Sequence, residues 1–483
     1  MPFPSAGCHT CKTRRIKCDE TRPTCRRCLQ SKRLCQGMSD GGFFAAVYSE
    51  NRYASGRERR PRGPRSSLKE HAITELDRPV SGDLVDLTTQ AILYYMHHYL
   101  KAPKETPKVL KAHSVEFLTA WVGKTDDPIL HPAVSCMALA IFSRTQKHRP
   151  AAVQASMTYH RLLQLARVSI PSLVAANVDI WLLAVFFMAR YEDAIFDPSR
   201  PSAFRVAAGS FFHHDGASTI LKFWKEHLSA NHQATDIMRY SRRGLLKSAL
   251  MRRLAVPQWL LDGSDYCERG LELEYDRIVV RLVNLRHRIF EASSQPSIDD
   301  LAREARDIDK AVQQWSSHFP STWCYQQYSL PHHETFPTQH FFSPIVYHYS
   351  SLAHAAVWNQ YYTTRMLALS TRIRVEESLA ERAEYVACLK SMASHFTSTL
   401  PFCLGRFQLA DESYGALSIK VTTKEPVRPY LASLTVWPMS LASSLENVEL
   451  EQTPWLQATL AELGRTLGYG VVEHVKSEQW LRF

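Results

Sequence analysis

The 483-residue sequence has no apolar run long enough to cross a bilayer. Its most apolar segment, Ile180 to Ala189, spans ten residues between Asp179 and Arg190. A transmembrane helix needs roughly 20, so this segment reads as a buried core helix. The opening residues, Met1 to Gly7, hold neither a charged stretch nor an apolar one, so a reducing compartment is expected rather than a secretory route. Also missing are a glycine loop that cradles phosphate, a Gly-x-Ser-x-Gly elbow and a His-Glu-x-x-His helix. Their absence removes the local signatures of nucleotide, serine-hydrolase and zinc-protease chemistry. Period-two alternation is scarce, and only Leu417 to Thr422 alternates as a half-buried strand does.

What is present is concentrated at the start. Cys8, Cys11, Cys18, Cys25, Cys28 and Cys35 are separated by two, six, six, two and six residues, and a shift of seventeen maps the first three onto the last three. The stretch is therefore a duplicated unit with three thiols per half. A structural zinc ion takes about four ligands, so six thiolates satisfy two ions only if two sulfurs are shared. The six thiolates and two dications sum to two negative charges, which Lys12, Arg14, Arg15, Lys17, Arg26, Arg27, Lys32 and Arg33 surround with positive charge. The competing reading, a disulfide framework, belongs to small secreted domains and fits poorly with a reducing compartment. The remaining cysteines, Cys136, Cys267, Cys324, Cys388 and Cys403, show no paired spacing and read as ordinary buried thiols.

On these six cysteines, the basic run Lys12 to Lys17 and Pro23, the sequence resembles the fungal binuclear zinc cluster family of transcription factors. The resemblance covers about thirty residues. It implies two zinc ions bridged by Cys8 and Cys25, and a loop between two helices turned by Pro23. The half-repeats also differ. Lys12, Arg14, Arg15 and Lys17 crowd the first, whereas the matching part of the second has only Lys32 and Arg33. The first half is thus the expected reader, since Arg and Lys donate to guanine N7 and O6 in the major groove and otherwise anchor phosphates. The resemblance sharpens this reading: Arg14 and Arg15 match base-facing positions, usually over a CGG triplet, and Lys17 a backbone-facing one. Recognition of RNA, which favours stacking aromatics, is disfavoured because residues 8 to 35 contain no Phe, Tyr or Trp.

Charge is segregated in the same way. Residues 1 to 70 hold sixteen Lys and Arg against six Asp and Glu, leaving one of the eleven net positive charges for the rest of the chain. That is the electrostatic footprint of a nucleic-acid module joined to a near-neutral body. The expected organisation is a zinc cluster over 1–37, a basic Gly/Ser/Pro/Arg-rich linker over 38–82 and a helical regulatory region over 83–483. Within the linker, the run Arg57 to Arg65 suits a nuclear import signal, an arm along phosphates or a plainly solvated stretch. Leu68, Ala72, Leu76 and Val80 supply at most a heptad and a half before Pro79 interferes, short of the three or four heptads a coiled coil needs. Phe43 to Tyr48 form an apolar island.

Beyond Asp83 the helical period dominates. Ile92, Tyr95 or Met96, and Tyr99 share a face; Ala217, Ile220, Leu221, Trp224 and Leu228 repeat the spacing after Asp215; Ile278, Leu282, Leu285 and Ile289 repeat it again. Pro132 and Pro150 suit helix N-termini. The expected fold class is all-α. The stretch Arg239 to Arg253, Pro257 and Trp437-Pro438 loosely resemble the helical fungal-specific transcription factor domain. The doublets His97-His98, His213-His214 and His332-His333 point in different directions on a helix and make no metal pair by themselves.

These readings converge on a nuclear, sequence-specific DNA-binding regulator of RNA polymerase II genes. It would hold two Zn(2+) ions through the six N-terminal cysteines, bind double-stranded DNA through Lys12, Arg14, Arg15 and Lys17, and have no catalytic residues. Further partners in this reading are the transcription machinery or co-regulators, with a homodimer left open and no membrane. The rival is a helical enzyme with a zinc-stapled basic appendage. It is disfavoured because no acid, base or nucleophile constellation stands out.

Overall fold

A computed structural model of the chain describes residues 10–11, 14, 16–19, 21, 25–31, 33, 35, 86–100, 118–122, 127–173, 177–198, 208–291, 297–330, 337–411, 417–446, 448–477 and 480–483. The apolar island, the basic run Arg57 to Arg65, the short heptad segment, Pro23 and His332-His333 lie outside them. The chain divides into two compact units, Met1–Asp83 and Leu84–Phe483. The first contains a short helix, α1 (Arg26–Gln30).

The second unit is helical, in the order α2 (Leu87–Tyr95), α3 (Thr119–Val122), α4 (Leu130–Thr145), α5 (Arg149–Leu173), α6 (Val178–Ile195), α7 (Ala208–His227), α8 (Asp236–Arg252), α9 (Gly270–Phe290) and α10 (Ile298–Ser317). A hairpin of β1 (Gln326–Ser329) and β2 (Ile345–His348) precedes α11 (Leu352–Val375) and α12 (Leu379–Cys403). A second hairpin, β3 (Phe407–Asp411) with β4 (Leu417–Val421), precedes α13 (Pro429–Ala442), α14 (Thr453–Leu467) and α15 (Gly470–Glu473). Both hairpins are antiparallel. Neighbouring helices pack on one another: α4 on α5 and α6, α6 on α7, α10 and α12 on α11, and α13 on α14.

Local chemistry sets many of the boundaries. Asp86 accepts from the Thr88 and Thr89 amides at 2.9 and 3.2 Å and starts α2; Asn177, Ser351 and Ser378 accept in the same way at the starts of α6, α11 and α12. Such side chains satisfy amides that have no partner inside the helix. At the end of α14, Gly468 adopts φ +66° and the Tyr469 amide donates to the Gly464 carbonyl at 2.9 Å, closing the helix through a left-handed residue. A side chain on Gly464 would collide with the backbone of Val472 and Glu473, so glycine there lets α15 fold directly against α14.

The all-α expectation holds, with one correction of detail. The strand expected at Leu417 to Thr422 is β4, and its partner β3 carried no alternation signal because its register is fixed by pairing with β4. Asp215 lies inside α7, where its carboxylate accepts from Arg252 Nη1 of α8 at 2.8 Å. Ala217, Ile220, Leu221 and Trp224 are buried on one face, as are Ile278, Leu282 and Leu285 of α9. Ile92, Tyr95 and Tyr99 are buried too, although the helix loosens into a π turn over Met96–Leu100. No helix among the described residues is long and apolar enough to cross a membrane.

Charge enters the core at specific points. Arg242 of α8 is fully buried. It donates in bidentate fashion to Asp276 of α9, at 3.0 Å from Nη2 to Oδ2, and through Nε and Nη2 to the Leu260 carbonyl at 3.1 and 2.6 Å. Its guanidinium carbon also lies 5.1 Å from the centre of the Tyr266 ring. Asp309 of α10 accepts from Arg365 at 3.2 Å and Arg372 at 2.6 Å on α11. Removing one partner of a buried pair leaves an uncompensated charge, whereas removing both does not. Asp276→Ala should therefore cost about 3–5 kcal/mol of stability in urea unfolding of the full chain, while Arg242→Met/Asp276→Leu together should recover most of that loss. A double variant no more stable than Asp276→Ala would refute this account.

Candidate metal centre and nucleic-acid interface

Three sulfurs converge in the N-terminal unit. Cys11, Cys25 and Cys28 are buried, with Cys11 Sγ 3.6 Å from Cys25 Sγ and 3.9 Å from Cys28 Sγ. The half-buried Cys18 and Cys35 pack against them. These separations are far longer than the roughly 2.05 Å of a disulfide. Two sulfurs held tetrahedrally at about 2.3 Å from one zinc ion lie about 3.8 Å apart, close to what is found. Two groups have ligand atoms close enough to hold a metal ion, one of Cys11, Cys25 and Cys28 and one of Cys18, Asp19 and Cys25. Cys25 belongs to both. Cys8 lies outside the described residues.

Short-range hydrogen bonds brace this cluster. Cys25 is the N-cap of α1, its sulfur accepting from the Cys28 amide at 3.4 Å. Asp19 accepts from the Arg26 and Arg27 amides at 3.1 and 3.3 Å and from the Thr21 hydroxyl at 2.5 Å. That carboxylate thus reaches across seven residues to cap the helix that carries Cys28. The Thr21 bond, followed by the two amides, holds its pKa down to about 2 against an ordinary 3.8. A lowered folded-state pKa means that the contribution of Asp19 is complete above about pH 3.9 and is lost as the pH falls through about 2.

Of the expected DNA-contacting residues, Arg14 and Lys17 are described and exposed; Lys12 and Arg15 fall outside. Arg14 sits one helical turn beyond Thr10, its amide donating to the Thr10 carbonyl at 3.2 Å. Its Nη1 donates to Ser31 Oγ at 3.1 Å, and Ser31 in turn donates to the Arg27 carbonyl at 2.8 Å. The basic first half-repeat is thereby fastened to the end of α1 in the second. Sequence reading did not single out Asp19, Thr21 or Ser31, because their partners are set by the folding of the loop and not by any local spacing.

The cysteines and histidines of the helical unit are dispersed. Cys136 and Cys403 are buried, which pushes both thiols up, Cys403 to about 12; Cys324 is exposed. His97 and His98 are exposed, while burial pulls His213 and His214 down to about 4. Neither doublet joins a metal-ligand group among the described residues.

Residues 6–40 match the fungal Zn(2)-Cys(6) binuclear cluster domain. Over this stretch the chain is 59% identical across 34 residues to white-opaque regulator 2 of Candida albicans, covering 7% of this chain and 8% of that protein. It is 61% identical across 33 residues to the aspercryptin biosynthesis cluster-specific transcription regulator atnN of Emericella nidulans, covering 7% and 5%. The transcriptional regulatory protein moc3 of Schizosaccharomyces pombe matches at 58% across 31 residues, 6% of each chain. The chain thus spans less than a tenth of the length of these relatives, all of it in the cluster. No solved structure matches. The N-terminal module is a binuclear zinc cluster of the fungal transcription-factor type, and it binds two zinc ions.

Two outcomes follow from the sulfur geometry and the cap. Native mass spectrometry of the full chain should find two zinc ions, with Cys25→Ser losing both and Cys11→Ser retaining one; a Cys25→Ser protein that keeps one ion tightly would exclude a shared sulfur at that position. Asp19→Asn should speed zinc loss to a chelator by a similar factor at about pH 6 and about pH 8, because Asp19 is fully ionised at both. A factor that grows between these values would mean that a different titrating group is responsible.

Proposed function

We propose that this protein is a nuclear, sequence-specific DNA-binding transcription regulator of RNA polymerase II genes, which reads CGG-type triplets in the major groove. In this reading Cys8, Cys11, Cys18, Cys25, Cys28 and Cys35 hold the two zinc ions, with Cys8 and Cys25 shared. Arg14 and Arg15 face bases, and Lys12 and Lys17 complete the contact set. The observation that carries the proposal is the cluster match over residues 6–40, which coincides with the converging sulfurs of Cys11, Cys25 and Cys28. Three relatives matched over this module are named as regulators or transcription regulators. The charge distribution supports the same division of labour, since all but one of the net positive charges lie before residue 71 and phosphate contact depends on them. We assign 1–37 to DNA, 38–82 to a linker and 83–483 to regulation. Contacts with the transcription machinery, co-regulators or a second copy then fall to the helical region.

Base reading and phosphate anchoring are separable by salt. With the full chain, Arg15→Ala should lose about 1–3 kcal/mol on a CGG-containing duplex and flatten discrimination at one guanine. Lys17→Ala should weaken matched and mismatched duplexes alike, and make the slope of log affinity against log salt shallower by about one unit. Full discrimination retained by Arg15→Ala, in titrations at several salt concentrations, would overturn the assignment.

A further inference from the structure

The helical unit encloses a cavity of about 430 Å3, within the range of small-molecule sites. Its wall is largely apolar and aromatic, with Tyr95, Phe186, Leu282, Trp315 and Trp437 among the lining residues. Three cations share that wall: Arg190 of α6, and Arg243 and Lys247 on successive turns of α8. Arg190 is paired with Asp193 at 3.1 Å, and Arg243 with Glu268 at 2.5 Å and Glu272 at 3.6 Å. The lining carboxylate of Asp276 is taken by Arg242. Each acid in the lining therefore already has an arginine.

Lys247 does not share in this pairing. Among the described residues no carboxylate lies within ion-pair distance of it, and its ammonium rests 5.0 Å from the centre of the Trp437 ring. Burial, and then the fields of Arg190 and Arg243, pull its pKa down to about 8. A cation held in such a place without a counter-ion is costly, and an entering anion would offset the cost while an aromatic body filled the apolar wall. A second observation concerns the space itself. Gly244 lies inside α8 and lines the cavity, and a Cβ placed on it would meet no atom within 4 Å. Glycine inside a helix is unfavourable relative to nearly every other residue. No close approach calls for it here, and what its missing side chain leaves is open volume.

We propose that this cavity is an effector site for a small organic monoanion with an apolar, aromatic body, Lys247 serving as the counter-ion and the Trp437 and Phe186 rings as the apolar wall. The inference concerns the helical unit and goes beyond the DNA reading, on which its test does not depend.

The experiment uses the full chain and two probes of matched shape, naphthalene-1-acetate and its uncharged amide, followed by calorimetry and thermal shift. The acid should bind at least about tenfold more tightly than the amide. Lys247→Met should erase that preference while the protein stays folded with its zinc. Gly244→Leu should raise Tm, by adding a helix former and filling space, and yet abolish binding of both probes; a site lost with a rise in Tm cannot be ascribed to unfolding. Equal affinity for acid and amide in the unaltered protein, a preference that survives Lys247→Met, or no binding of either probe would each overturn the proposal.

Discussion

Arg242 carries a full positive charge where no solvent reaches it, and the arrangement of the helical unit around α8 follows from that. Desolvating an ion costs several kcal/mol unless geometry restores what water supplied, so its donors must be met from several elements together. Asp276 comes from α9, and the Leu260 carbonyl from the connection between α8 and α9. One guanidinium thus fixes the relative position of two helices and of the segment joining them. The next residue, Arg243, repeats the solution with Glu268 and Glu272. One turn later Lys247 lines the cavity, and among the described residues no carboxylate comes within ion-pair distance of it.

The zinc module meets the same constraint with different chemistry. It is too small to build a hydrocarbon core, and the buried residues described in it are cysteines. Thiolates gathered within 4.8 Å of one another repel unless dications sit among them, so metal binding supplies the folding free energy that apolar burial supplies in the larger unit. Asp19 and Ser31 extend this economy. One carboxylate and one hydroxyl tie the loop, α1 and Arg14 into a single piece, which turns a set of ligands into a surface with a fixed display of cations.

Much of this was legible in the chain itself where the cause is local. The six-cysteine repeat announces its metal because ligand number and spacing are properties of consecutive residues. The helical body was readable because the 3.6-residue period of Ile278, Leu282 and Leu285 reflects which face is dry. Asp19 shows where such reading fails: the amides it caps belong to Arg26 and Arg27, seven and eight residues away along the chain. The partner of β4 failed to register for a similar reason, since a strand made by pairing need not alternate.

The sequence by itself determined the zinc cluster, the segregation of positive charge into the first 70 residues and the all-helical class, because spacing, composition and periodicity act over a few residues and need no knowledge of the fold. Only the tertiary structure decided that Asp19 caps the helix carrying Cys28, that Arg242 is matched by Asp276 while Lys247 has no carboxylate partner among the described residues, and that Gly244 borders empty space. Those outcomes depend on which side chains meet across helices and loops. Whether a buried charge finds its counter-ion is fixed by the packing of separate elements, and no local pattern encodes it.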